Sequence, residues 1–289
     1  MRRARIVALL VLFPLIAHAA PYAIVLGIAQ DGGYPQAGCE RPDCVAAWNH
    51  PELRRHVASL GIVDPETHER WLIDATPDFP EQLHALGGLP LAGIFLTHAH
   101  IGHYLGLAQL GREVIGSHDV PVYAMPRMRA FLEHNGPWDQ LVRLHNIELR
   151  PMEDGVPIRL NANITVTPVA VPHRAEYSET VAFIVKGPHR SILWMPDTDR
   201  FENIETLIAR VDVVYLDGTF FDAKELPGRN LSEIPHPMIH DSIERFSKLP
   251  ARERAKIRFI HLNQSNPALR DPKIVRPFAV GHEGEREGL

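Results

Sequence analysis

The sequence predicts an α/β protein in which clustered strands form layered sheets with helices outside, all within one domain. Three observations carry this prediction. Apolar, β-branched runs of strand length recur along the chain, and segments with helical spacing are interleaved between them. No convincing linker, internal repeat or low-complexity block divides the sequence.

The elements follow in order. YAIVLGIA (22–29) is a strand that runs into QDGGYPQAG, where Gly32-Gly33 and Pro35 dictate a loop. HVASLGIVD (56–64) and RWLIDAT (70–76) are two more strands, parted by a turn at Asp64-Pro65. PDFPEQLHAL (77–86) opens like a helix with Asp78 near its start, and LAGIFLT (91–97) is the next strand. HYLGLAQLG (103–111) has helical spacing of Leu105, Ala108 and Leu110. PRMRAFLEHNGPWDQLVRL (126–144) reads as two short helices broken at Gly136-Pro137. Strands then dominate as NITVTPVAVPH (163–173), ETVAFIVKG (179–187) and RSILWMPD (190–197). The helix NIETLIARV (203–211), the strand DVVYLD (212–217), a helix in HDSIERFSKL (240–249) opened by Asp241-Ser242, and the strand KIRFIHLN (256–263) complete the pattern.

The first residues, MRRARIVALLVLFPLIAHAA, carry arginines, then an apolar run from Ile6 to Ile16, then the small-x-small triplet Ala17-His18-Ala19. This is the pattern of a secretory signal peptide over residues 1–19, leaving 20–289 as a mature chain that works in the periplasm or is secreted. The apolar run is short for a membrane span and Pro14 interrupts it, so no stable anchor is expected. Apolar residues make up 45% of the chain and charged ones 22%, the proportions of an ordinary globular protein. A net charge of −5 gives no footing for nucleic acid and favours a small-molecule partner.

Cys39 and Cys44 sit in GCERPDC, close enough to bridge through the Arg41-Pro42 turn. In an oxidising compartment a disulfide is the default; half of a structural zinc site is the rival, needing two more ligands from elsewhere.

Seventeen histidines are many for this length, and they are unevenly placed. Asp74 ends one strand, and His98, His100 and His103 follow the next; His173, Asp197 and His261 close or lie within later ones. Residues two apart on an extended segment project to the same side, so His98 and His100 can grip one ion while His103 leans toward a neighbouring position. Imidazole suits zinc and other borderline metals, and an aspartate such as Asp197 can bridge two ions. Two ions that close can share a water, lower its pKa toward neutrality and clamp a leaving oxygen. His118, His134, His145, His189 and His282 have no such context and read as surface or satisfied core residues.

In that order, LIDAT, LTHAHIGH, VPH, WMPDTD and FIHLN resemble the ordered motifs of the metallo-β-lactamase fold hydrolases, over nearly the whole mature chain. The resemblance implies a four-layer αββα sandwich with a metal site at one edge of the two sheets. It implies that His98, His100 and His173 hold a first ion, that His103 and His261 hold a second, and that Asp197 bridges them. Asp74 would support the metal loops. VLGIAQDGGYPQAGC, YLDGTFF, IPHPMIHDSI and HLNQSNP are similar to a subfamily, the pyrroloquinoline quinone biosynthesis B proteins. The opening also resembles the phosphonate-pathway cyclic phosphodiesterases, whose cysteines hold a structural zinc. The quinone-pathway proteins are cytoplasmic with degraded metal histidines, whereas this chain keeps its histidines and carries an export signal, so the likeness does not extend to that biosynthetic role.

The family pattern is HxHxDH, and this chain has Gly102 in place of the acid. The second position should therefore bind more weakly, with His103, Asp197 and His261 remaining, still a workable set with water. Either the site runs on one tight ion or another carboxylate moves in. Asp31, in the loop after the first strand, is the candidate, although turn chemistry before Gly32-Gly33 accounts for it without a role and is the preferred reading. His236 and Tyr177 are the expected substrate contacts, with Asp217-Gly218-Thr219 as support behind the ligands.

The leading expectation is an exported hydrolase that uses zinc, as one or two ions with manganese or iron as substitutes, to activate a water against a small ester, lactone or cyclic phosphodiester. The alternative is a non-catalytic metal-containing binding or cofactor-handling protein.

Overall fold

Alternation along the strands decides the architecture of the computed structural model, which describes residues 20–289; the predicted signal segment lies outside the described residues. In chain order the strands are β1 (Tyr22–Gly27), β2 (Ser59–Asp64), β3 (Glu69–Ile73), β4 (Gly93–Phe95), β5 (Val120–Ala124), β6 (Ile147–Pro151), β7 (Ile158–Arg159), β8 (Thr165–Ala170), β9 (Val181–Lys186), β10 (Ser191–Met195), β11 (Val213–Asp217), β12 (Ile257–Ile260), β13 (Ala279–Val280) and β14 (Arg286–Gly288). The helices are α1 (Pro42–Asn49), α2 (Phe79–Ala85), α3 (Ile101–Tyr104), α4 (Pro126–His134), α5 (Trp138–Arg143), α6 (Ile204–Ala209), α7 (Ile239–Phe246) and α8 (Ala251–Arg254).

The strands form two seven-stranded sheets, ordered β14-β1-β2-β3-β4-β5-β6 and β13-β12-β11-β10-β9-β8-β7. Alternate residues along each strand of the first sheet go to different clusters. Ala23, Val25, Leu60, Ile62, Trp71, Ile73 and Phe95 face Phe183, Val185, Leu193 and Trp194 of the second sheet. Ile24, Leu26, Leu72 and Ile94 face the opposite way, onto Phe79 and Leu83 of α2, Met128 and Leu132 of α4 and Leu141 of α5. Ile208 of α6 and Ile239 and Phe246 of α7 cover the outer face of the second sheet. The result is the expected αββα sandwich. Because both faces of each central strand are buried, those strands read as nearly unbroken apolar runs.

One close contact sets the entry to the site. The register of β1 against β2 shifts between Val25 and Gly27. A Cβ on Gly27 would lie 1.9 Å from the Val57 carbonyl oxygen, a backbone atom that cannot swing away. Gly27→Ala is therefore expected to destabilise the protein by about 2–3 kcal/mol, the cost of forcing a buried backbone apart. Equilibrium urea unfolding would read this as a lower midpoint, and an unchanged midpoint would contradict the contact.

Some elements depart from the sequence reading. The helix expected over 103–111 is one α turn, α3, continued as a 3₁₀ segment over Leu105–Leu110. Gly106 explains the change: a Cβ there would meet the Thr76 carbonyl oxygen at 2.2 Å, so this segment is pressed onto the loop after β3. Asp78 stands at the start of α2 without capping it; its carboxylate accepts the Val57 N–H at 2.7 Å instead. Helix α7 begins at Ile239, ahead of the expected Asp241-Ser242 start. Helix α1 and strands β5, β6, β7, β13 and β14 were not expected. VPVYA carries a proline that argues against a strand, and the others are short or polar. Among the described residues no helix is long and apolar enough to cross a membrane.

Candidate metal centre

Parallel pairing gathers the chemistry at one edge. β3 and β4 are parallel neighbours, and so are β10, β11 and β12, so their carboxyl ends share a side of each sheet. Asp74 follows β3, His98 to His103 follow β4, Asp197 follows β10, Asp217 ends β11 and His261 follows β12. This is where open α/β sheets place ligands generally. Asp74 and His261 adopt left-handed backbone, with φ of 66° and 60°, a sparsely populated region for side-chain-bearing residues. The turn at each strand end is what aims the side chain into the cluster.

Asp197 stands at the centre. Its Oδ2 lies 3.2 Å from His98 Nε2, 3.3 Å from His103 Nε2 and 3.6 Å from His261 Nε2. Its Oδ1 lies 3.5 Å from His173 Nε2 and 3.3 Å from His236 Nδ1. His100 Nδ1 is 2.8 Å from His98 Nε2. The donor atoms fall into two groups that share Asp197: His98, His100 and His173 in one, Asp31, His103 and His261 in the other. In a third grouping, of Asp217, His236 and His261, Asp217 is already committed to hydrogen bonds with the Thr198 and Thr219 N–H groups.

Whether these residues fit metal ions is decided by their unused atoms. His103 Nε2, His173 Nε2, His261 Nε2, Asp31 Oδ1 and Asp197 Oδ1 are all buried without a hydrogen-bond partner. Buried polar atoms ordinarily find partners, and five orphans gathered in one place are donors that a cation would satisfy. The opposite ring nitrogens are held. His103 Nδ1 meets Asp74 at 2.8 Å, His261 Nδ1 meets Thr219 Oγ1 at 2.9 Å, and His173 Nδ1 meets the Pro235 carbonyl at 3.2 Å. His98 Nδ1 meets Thr97 Oγ1 at 3.0 Å, and that hydroxyl reaches Asp74. Holding one nitrogen fixes the ring and turns the other's lone pair inward, the usual support of a metal-binding histidine. Mixed imidazole and carboxylate donors suit zinc, manganese or iron.

The charges agree with that reading. Burial drives the His98 ring well below its ordinary pKa, helped by the neighbouring His103 charge. Burial would lower His103 too, but the Asp74 charge and the Asp197, Asp31 and Asp74 carboxylates beside it hold it well above. Burial works against the charged form of Asp197, yet the His261 charge and the His103 and His98 rings set against it keep its carboxyl well below the usual range. His236 is pushed up to about 9: burial opposes the charge, but Asp217, 2.7 Å from Nδ1, and Asp197 overcome it.

The expected residues thus come together, with two exceptions in detail. Tyr177 does not enter the cluster; it is 61% exposed on the loop after His173, its ring centroid 5.5 Å from Phe131. The preferred reading of Asp31 as a turn residue only is corrected. The turn is there, with the Gly33 N–H donating to the Gln30 carbonyl at 2.7 Å, but the Asp31 carboxylate lies 3.3 Å from His103 Nε2. Glu176, unforeseen from the sequence, meets His100 Nε2 at 3.1 Å. No local pattern marks it; it is an exposed acid on a loop. Thr97 was likewise missed, though its place just before the histidines was the available signal. Cys39 and Cys44 form a disulfide, which removes the structural-zinc alternative for this pair.

Comparison with known proteins places these features in a family. The model of the beta-lactamase superfamily domain matches residues 69–261. The coenzyme PQQ synthesis protein B of Xanthomonas axonopodis pv. citri is 27% identical, over 92% of this chain and 98% of that protein. Its counterpart in Methylobacterium nodulans is also 27% identical, over 91% and 98%. Among solved structures, Zn(2+)-bound PqqB from Methylobacterium extorquens superposes with a TM-score of 0.77 at 22% identity, covering 93% of this chain and all, 100%, of that one. A diphosphatase from the PhnP family superposes with a TM-score of 0.72 at 21% identity, covering 94% and 98%. At these identities the structural likeness speaks for the fold.

Proposed function

The chain belongs to the beta-lactamase superfamily, and from that premise we propose that it is an exported, zinc-dependent hydrolase of a small ester, lactone or cyclic phosphodiester. The observation that carries the reading is the set of five buried, partnerless donor atoms, one on Asp197 and four gathered around it. His98, His100 and His173 would hold one ion, His103 and His261 a second, and Asp197 would stand between them. Such ions supply Lewis acidity and a water of lowered pKa.

The chain's own residues supply the rest. Asp74 and Thr97 orient His103 and His98, and Thr219 orients His261. Glu176 holds His100 from the solvent side. Against its burial, Asp217 at 2.7 Å from Nδ1 pushes His236 up to about 9, so the ring would hold a proton on each nitrogen and could give the one on Nε2 to a departing oxygen. Arg174, which pairs with Glu176 at 3.5 Å on the exposed loop beside His173, gives an anionic substrate a cation at the rim. Zinc-bound PqqB and the PhnP-family diphosphatase share the fold, and the zinc of the one and the diphosphatase activity of the other support the metal and a hydrolytic role. The Cys39–Cys44 bond favours export, because cytosolic thiols are kept reduced.

Dialysis against a chelator is expected to abolish hydrolysis of an ester panel, and zinc or manganese to restore it. A metal-loaded protein that turns over none of the panel would point instead to a binding or cofactor-handling role. Export is tested separately: protein from the periplasm should begin near Ala20 and react with no thiol reagent until reduced. Free thiols in freshly isolated protein would count against it.

A further inference from the structure

The loop after β1 holds an acid, Asp31, beside His103. Ala29 bridges Val57, just before β2 of the first sheet, and Leu262, just after β12 of the second, so this loop straddles the junction between the sheets. The Gln30 N–H donates to the Leu262 carbonyl at 3.0 Å, the Leu262 N–H donates to Ile28 at 2.8 Å, and the Asn263 side-chain amide bonds to that of Gln30. Residue 31 therefore has little freedom to move. Its carboxylate, 24% exposed, puts Oδ1 at 3.3 Å from His103 Nε2 and 3.8 Å from His261 Nε2, and that oxygen is itself buried and partnerless.

Gly102 makes the complement. A Cβ built there would lie 2.2 Å from Asp31 Oδ1 and 2.6 Å from Asp31 Cα. The volume in which any side chain at 102 would begin is already filled, by the Asp31 carboxylate and by the backbone that carries it. Two positions distant in sequence thus compete for one space beside His103.

We propose that Asp31 supplies the carboxylate ligand of the second divalent-cation position, with Gly102 as the space that admits it. The proposal rests on the metal-centre reading above but not on the reaction assigned to it. The second position then has four protein donors, Asp31, His103, Asp197 and His261, and the loop after β1 is tied to occupancy of that position.

The test is zinc titration of metal-free wild type, Asp31→Ala, Asp31→Asn and Gly102→Ala against a chromophoric chelator, with melting curves of the metal-free forms as the folding control. Wild type is expected to take two ions. Both Asp31 variants should keep the first and bind the second at least about 100-fold more weakly, since losing an outer partner of a ligand alone costs 10–100-fold. Gly102→Ala should show the same selective loss with the carboxylate still present, because the added methyl displaces residue 31. Hydrogen exchange over residues 28–36 should slow on the second equivalent of zinc in wild type and not in Asp31→Ala. Two ions bound by Asp31→Ala with wild-type affinity would overturn the proposal, and so would a wild type that takes only one. A wild type that takes two ions but hydrolyses no ester leaves Asp31 as a ligand and removes the hydrolase reading instead.

Discussion

With Asp197 replaced by alanine, the protein is expected to retain neither ion after dialysis and to lose about a thousandfold or more in turnover of any ester the wild type hydrolyses. The size follows from position. Losing one outer partner of a ligand costs 10–100-fold in affinity or activity, and Asp197 stands inside that shell, common to both donor groups. Its two oxygens lie within 3.2–3.6 Å of nitrogens on His98, His103, His173, His236 and His261. The effect should also differ in kind from that of Asp31→Ala, which leaves the first group whole. Elemental analysis of the two variants beside wild type would order them: two ions, one, none. An Asp197→Ala protein that held an ion as tightly as wild type would show that the imidazoles close a site without it, and the bridging geometry would lose its meaning.

Much of the site was legible because its residues sit at strand ends. Apolar runs such as LAGIFLT and KIRFIHLN mark strands buried on both faces, and a polar residue that interrupts such a run at its carboxyl end has few roles other than chemistry. His98, His100, His103, Asp197 and His261 were found in that way. Asp31 stands out only as a candidate, because its loop owes its path to contacts with Val57 and Leu262 that local sequence does not encode. Its Gly-rich surroundings were a sufficient explanation by themselves. Glu176 escaped for a similar reason: it reaches His100 across 76 positions of sequence from an exposed loop. The fold shows the same division. Strands with clean apolar patterns were visible, while β5, with its proline, and the two-residue strands β7 and β13 exist because a neighbouring strand offers them a partner.

The glycine at 102 illustrates how a motif can be misread as loss. Read alone, a missing acid weakens a site. Read with the space around it, the glycine is required by a backbone 2.6 Å from where its Cβ would be, and the carboxylate arrives from elsewhere. What the chemistry needs is an oxygen at a place, and a chain of this length can deliver one from more than one segment.

Asp74→Ala should be the most damaging substitution outside the donor groups themselves. Asp74 is fully buried, and both its oxygens are used. Oδ1 accepts the Thr97 N–H at 2.8 Å, the Thr97 hydroxyl donates to the carboxylate at 3.0 Å, and Oδ2 faces His103 Nδ1 at 2.8 Å. Removing the carboxylate strands a buried donor on Thr97 and the charge on His103, and breaking a buried pair from one side costs about 3–5 kcal/mol. Metal-free protein should therefore unfold at lower urea by that amount. Zinc affinity should fall by about 10–100-fold at both positions, since Asp74 steadies His103 directly and His98 through Thr97. Asp74→Asn should be milder: asparagine tolerates the left-handed backbone at φ 66°, and its amide oxygen can still accept one of the bonds. The ranking separates two roles. If Asn restored stability but not zinc affinity, the negative charge would be what tunes the histidines; if it restored both, shape and hydrogen bonding would suffice.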